Sequence, residues 1–140
     1  MPDAPKKSIA AQIVDLVLQS INSGSMDLWT SQDETPYLSW WKINHYEHFS
    51  LNSEKTKQHL AAYFHECTGE LAYGSALADA ITILSGYARK RQSYQIFLRV
   101  GRDESAIYVD LGDSDWKAVK ITSEGWQIID NDPIKFRRPK

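Results

Sequence analysis

Cysteine is nearly absent from this chain: 140 residues contain one, Cys67. A single thiol excludes an internal disulfide framework and suits a reducing cytoplasm. Long apolar runs are missing too. The greasiest stretch, Ile9 to Leu18, contains Gln12 and Asp15 and is too short to span a bilayer. It also lacks the apolar core and small-residue cleavage pattern of a signal peptide. No membrane partner is expected, and the expected location is the cytoplasm. Nor is there an excess of positive charge. Sixteen Lys and Arg stand against eighteen Asp and Glu, a formal net charge of −2. That excludes an overall polybasic nucleic-acid binder and leaves room for a local basic face. No internal repeat and no low-complexity segment interrupts the chain.

What is present suits one globular domain. Apolar residues make up 42% and charged residues 24%, and the length supports a real core. Residues 1–7 read as a flexible tail, residues 8–132 as a single α+β domain, and residues 133–140 as a basic tail or linker. Ser8 can cap a helix, and Ile9, Ile13, Leu16, Val17 and Ile21 recur at helical spacing before Asn22-Ser23-Gly24. Met26 to Leu51 is rich in aromatic and β-branched residues, with a polar break at Ser31 to Pro36. It predicts a hairpin with a short strand near Leu28 to Thr30 and a longer one over Tyr37 to Phe49. Neither side of this ribbon is purely apolar, so one face is expected to be exposed.

Asn52-Ser53-Glu54 predicts the start of a second helix, with Leu60, Ala61, Tyr63, Phe64 and Cys67 on its stripe and Gly69 at its end. A third helix carries Leu77, Ala80, Ile81, Leu84, Tyr87 and Ala88, and the short link predicts that the two helices pack together. After Gln92 the period changes to two. Four antiparallel strands in a meander are predicted: Tyr94 to Val100, Ile107 to Leu111, Lys117 to Ile121 and Trp126 to Ile129. The predicted architecture is therefore an N-terminal helix, a β-hairpin, a helical pair and a four-stranded antiparallel meander.

Three groups of residues bear on chemistry. Asp110, Asp113 and Asp115 offer hard oxygen ligands for Mg²⁺ or Ca²⁺. Gly, Ser and Asp are also turn formers, and Asp side chains bond nearby backbone N–H groups, so the corner reads as a turn. Trp116 beside it is expected to anchor the meander against Trp126 in the core. His45 and His48, with His59, His65 and Cys67, lack the paired spacing of a zinc site. His45 and His48 point to opposite faces of a strand, and Cys67 reads as a small buried hydrophobe. No metal and no cofactor is assigned, and no catalytic set stands out.

The third group is basic. Arg89, Lys90, Arg91, Arg99 and Arg102 follow one another without an intervening acid, and Lys135, Arg137 and Arg138 lie near the C-terminus. Phosphate contacts need such clusters. Trp40 and Lys42 lie on the aromatic ribbon, where exposed rings beside cations suit single-stranded nucleic acid. Helix-dipole complementarity at Arg89 to Arg91, core packing of the aromatics and a linker role for the tail account for the same residues without a ligand.

"FHECTGELAYGSALADAITILSGYA", "IFLRV", "AIYVDLGDSDWKAVKITSEGWQIID" and "DPIKFRRP" follow in this order. Together they resemble the region just N-terminal to the P-loop ATPase domain of phage and plasmid DNA-replication proteins, described as primase/helicase-like or ATP-binding. That family has a helix of the "RRFYEETG" kind, then "ALQDALNVLEA", "VFVRVA", "GAIYLDLGDPDWRAVEITADGWRVVD" and "PPVRFRRP". The resemblance covers Leu28 to Pro139 and is dense after Ala61. It implies a non-catalytic accessory domain of a mobile-element helicase or primase, with DNA and the replicative ATPase or primase domain as partners. The chain has no G-x-x-x-x-G-K-[ST], so ATP hydrolysis by that route is not expected of it. It is expected to be a fragment ending before the motor or a stand-alone relative. Two other readings compete: a docking or oligomerisation module that touches no DNA, with Trp40-Trp41 as its hot spot, and a metal-dependent nucleic-acid enzyme using the acidic corner. The enzyme reading lacks a second acidic cluster.

Overall fold

In the computed structural model, which describes residues 7–138, the chain is α+β. The expected N-terminal tail lies outside the described residues except for Lys7, whose ammonium pairs with Asp15 at 2.6 Å. The first helix, α1 (Ile9–Ser23), begins where Ser8 Oγ accepts the Ala11 N–H. It stops at Gly24, which takes the left-handed conformation at φ 88° and returns its N–H to the last turn. Its stripe buries Ile13, Val14 and Val17.

Strands β1 (Met26–Ser31), β2 (Pro36–Lys42) and β3 (His45–Ser50) form an antiparallel ribbon of three strands, where two were expected. The expected strand from Tyr37 to Phe49 breaks at Ile43-Asn44. There the Asn44 N–H bonds Lys42 C=O at 2.7 Å, and Ile43 sits at φ 60° at the centre of a tight γ-turn. No glycine marks this turn, so the sequence reads straight through it.

Helix α2 (Glu54–Thr68) is capped by Ser53, whose Oγ accepts the Thr56 N–H at 3.2 Å, and ends at Gly69. Thr56 donates to Ser50 C=O at 2.7 Å, tying the helix start to the end of β3. Helix α3 (Gly74–Arg89) buries Leu77, Ala80, Ile81, Leu84 and Ala88. Its main partners are α1 and the strands β1 and β2, so the expected α2–α3 pair is a minor contact. Cys67 is exposed on α2 rather than buried.

The expected strand from Tyr94 to Val100 is three short pieces: β4 (Ser93–Tyr94), β5 (Ile96–Phe97) and β6 (Val100–Arg102). Arg99, at φ 67°, makes the break before β6. β4 pairs parallel with β1, completing a first sheet in the order β3-β2-β1-β4. β6 opens the second sheet with β7 (Ile107–Asp110), β8 (Ala118–Thr122) and β9 (Gly125–Ile129), an antiparallel meander in the order β6-β7-β8-β9. β10 (Lys135–Phe136) pairs parallel with β5.

Two cores result. The larger holds the helices against Leu28, Leu38 and Trp40 of the first sheet. The smaller gathers Ala106, Tyr108, Ile134 and Phe136 under the meander. The described part of the segment read as a basic tail or linker, residues 133–138, therefore packs against the meander. Gly101 faces it closely: a Cβ there would stand 2.7 Å from both Ile134 Cγ2 and Phe97 Cγ.

Two stability outcomes are expected from denaturant titration. Phe136→Ala should cost about 3–5 kcal/mol, because it empties the smaller core; an unchanged midpoint would return this segment to the status of a tail. Ile43→Gly should stabilise by about 0.5–1 kcal/mol. A β-branched residue in the left-handed region costs about 1–2 kcal/mol, and glycine's extra unfolded-state entropy gives back part of the gain.

Candidate nucleic-acid interface

The edge strand β3 lines one wall of a groove of about 550 Å³. The start of α2 supplies Ser53 and Lys55, and the opposite wall is the acidic corner from Gly112 to Trp116 with Arg137 and Arg138. Local chemistry fixes that wall. Gly112 turns at φ 70° and Trp116 at φ 54°. Asp113 Oδ1 accepts the Lys117 N–H at 2.9 Å, and Leu111 N–H reaches Lys117 C=O at 3.1 Å. The corner is thus a turn held by an Asp side chain on backbone N–H groups.

Arg138 locks this turn. Its Nε and Nη2 donate to Asp110 Oδ2 and Oδ1 at 2.9 and 2.7 Å, a two-bonded fork, and its Nη1 donates to Asp113 C=O. Its guanidinium lies 4.0 Å from the centre of the Trp116 ring. Trp116 in turn meets His48 and Phe49 edge-on, at 5.8 and 5.5 Å. It is a buried anchor as expected, but its partners are these rings and Arg138. Trp126, its expected neighbour, is 71% exposed.

Behind the groove lies a polar relay inside the first sheet. Trp29 Nε1 donates to Ser39 Oγ at 2.8 Å, which leaves the hydroxyl hydrogen for His48 Nδ1 at 2.6 Å. His48 Nδ1 is then an acceptor, and the neutral ring carries its proton on Nε2. Burial, reinforced by Lys135, His45 and Arg138, lowers the His48 pKa to about 3. His45, the other half of the H-x-x-H pair, is held by Asn44 Oδ1 and Glu47 Oε2, each at 2.9 Å. Among the described residues no group of three His, Cys, Asp or Glu stands close enough to hold a metal ion. Asp132, half-buried near Asp110, has its pKa raised to about 6, chiefly by burial.

The basic residues divide sharply. Lys42, Arg137 and Arg138 come together in the groove, joined by Lys55. Lys42, Lys55 and Arg137 have no carboxylate within ion-pairing distance among the described residues. Lys55, whose ammonium lies over Phe49 at 5.3 Å, carries no signal of its own in the sequence, where it is only a first-turn helix residue. Only the fold carries it across to residue 137.

The other candidates lie outside the groove. Arg89 and Lys90 are exposed at the end of α3, and Arg99 and Arg102 are exposed beside the meander. Arg91 pairs with Asp27 at 2.8 Å and donates to Leu28 C=O at 2.9 Å. Lys135 lies over Trp29 and Tyr94 at 5.0 and 4.6 Å, its pKa lowered by burial. Trp40 is 6% exposed, stacked between Phe49 at 4.8 Å and His59 at 3.9 Å. The ribbon is therefore covered on both faces at its centre, and Trp40 offers no free ring to a base. No family profile, curated protein or solved structure matches the chain.

The pH dependence of stability should separate the two perturbed groups. His48 binds its proton more weakly in the folded state, so its contribution is complete above pH 6.5 and is lost as pH falls toward 3. Asp132 has the opposite sign: folding favours its protonated form, so its contribution is complete below pH 3.8 and is lost as pH rises through about 6. His48→Gln should remove the acid-side loss. Asp132→Asn keeps an acceptor for the Ile134 N–H and should raise stability at pH 7 by about 1 kcal/mol after solvent screening. Thermal melts of both variants from pH 4 to 8 check the signs.

Proposed function

We propose that this chain is a non-catalytic accessory domain of a mobile-element replication helicase or primase, and that it contacts nucleic-acid phosphates through the groove between β3 and the 112–116 turn. The observation that carries this reading is the convergence of Lys42, Lys55 and Arg137, without ion-pair partners among the described residues, on one concave surface. Lys ammonium groups on flexible stems suit the variable positions of a phosphate backbone. Arg138 contributes position more than charge, because Asp110 already neutralises it. The sequence resemblance gives the biological setting, in which the replicative ATPase or primase domain is the natural neighbour.

A second reading rests on the same groove. β3 is an edge strand, and an acidic extended peptide can add to such an edge while its carboxylates meet the three cations. This is the docking alternative without DNA.

Fluorescence anisotropy of labelled single- and double-stranded oligonucleotides decides between them. Binding should be salt-sensitive. Lys42→Ala, Lys55→Ala and Arg137→Ala together should abolish it or reduce the slope of log K against log salt by about 2–3. Arg89→Ala with Lys90→Ala, outside the groove, should leave it within about twofold. No binding at low salt overturns the nucleic-acid reading and favours the acidic peptide.

A further inference from the structure

Among the described residues nothing covers the outer face of the meander. Alternation and register place two rows of four side chains there: Arg102, Ile107, Ile121 and Trp126, then Val100, Val109, Val119 and Ile128. Seven of the eight are apolar. Trp126 is 71% exposed, Ile128 56% and Val100 53%, while the opposite face of the same sheet covers Ile134 and Phe136. An antiparallel sheet with one packed face normally turns polar residues to water on the other. A contiguous apolar face of this kind marks an interface.

We propose that this face is a self-association surface, and that a second copy of this chain covers it by packing sheet on sheet about a two-fold axis. The choice of occupant rests on the placement of the one charge. Arg102 and Trp126 occupy opposite ends of the same row. A two-fold axis along the strands, between β7 and β8, lays β6 over the partner's β9 and β7 over the partner's β8. Each row then meets itself in reverse. Arg102 lies over the partner's Trp126, Ile107 over Ile121, Val100 over Ile128 and Val109 over Val119.

The two guanidiniums each gain an exposed indole face, and Glu124 in the turn beside Trp126 supplies a carboxylate of opposite sign. Asp103, next to Arg102, is turned back on its own loop, accepting from the Ser105 and Ala106 N–H groups. A two-fold axis across the strands would instead seat each Arg102 on the partner's valine row, leaving its charge unmatched. The interface is isologous, closes at two copies and makes a β-sandwich. Four strands about 4.8 Å apart and three to five residues long give a face of roughly 19 by 10–17 Å, below the standard interface size and suited to a weak association. The dimer is therefore expected to dissociate on dilution through the micromolar range.

Sedimentation equilibrium of the full chain across that range is the test. A reversible monomer–dimer equilibrium is expected. It should weaken about tenfold or more in Trp126→Ala and in Arg102→Glu, and be lost in Ile128→Glu. All three sites are exposed, and unchanged melting of the monomers would show that the variants fold. The proposal is overturned by a monomer at every concentration, by a dimer that Ile128→Glu leaves intact, or by assembly that continues past two copies through the free edge of β9. None of these outcomes depends on whether the chain binds nucleic acid.

Discussion

The contact of Arg138 with Asp110 and Trp116 holds the two halves of the molecule in their working relation. The fork to Asp110 fixes the last described residue on the end of β7. The ring beneath it reaches across to His48 and Phe49 on β3. Without that bridge the acidic corner would be an ordinary exposed turn. With it, the corner becomes the far wall of a groove whose near wall belongs to the other sheet. The arrangement also explains why the carboxylates give the groove no net acidity. Asp110 is forked by Arg138, Asp113 lies 3.7 Å from the same guanidinium, and Glu47, the other carboxylate lining the groove, is held by His45, so each of these acids has a partner other than Lys42, Lys55 and Arg137.

The same economy of polar groups appears inside the first sheet. Trp29, Ser39 and His48 satisfy one another in sequence, and the ring of His48 stays neutral because burial and neighbouring cations disfavour its charge. An imidazole kept uncharged can sit behind a groove lined with Lys and Arg without repelling them. Lys135 is handled differently, by stacking its ammonium over two rings. Among the described residues the groove keeps Lys42, Lys55 and Arg137 as cations without an ion-pair partner.

Much of the fold was legible because its boundaries carry local chemistry. Ser8 with Gly24, and Ser53 with Gly69, mark two helices by caps that any reading of the chain can find. The meander was visible from its period of two and from its Gly- and Asp-bearing turns. The turn at Ile43 was not, because a β-branched residue at positive φ contradicts the rule by which turns are read. The break at Arg99 was hidden because a long unbranched side chain at positive φ carries no turn signal either. Ile134 and Phe136 alternate with charges over too few residues to announce a strand, so a segment at the centre of the smaller core read as a linker. The groove was half-visible: Lys42, Arg137 and Arg138 stood out as cations, but nothing local places residue 55 beside residue 137. Trp40 and Trp126 exchanged roles, the first taken into the core and the second left outside, because aromatic content does not say which face of a strand is covered.

The late position of β10 has a consequence for synthesis. The larger core is complete once Tyr94 has emerged from the ribosome, since β4 closes the first sheet against β1. The smaller core must wait for Ile134 and Phe136, so throughout translation of the meander both of its faces are bare. A nascent chain whose meander has emerged while Ile134 and Phe136 are still inside the exit tunnel presents two sticky surfaces in place of one, open to chaperones and to neighbouring chains on the same message.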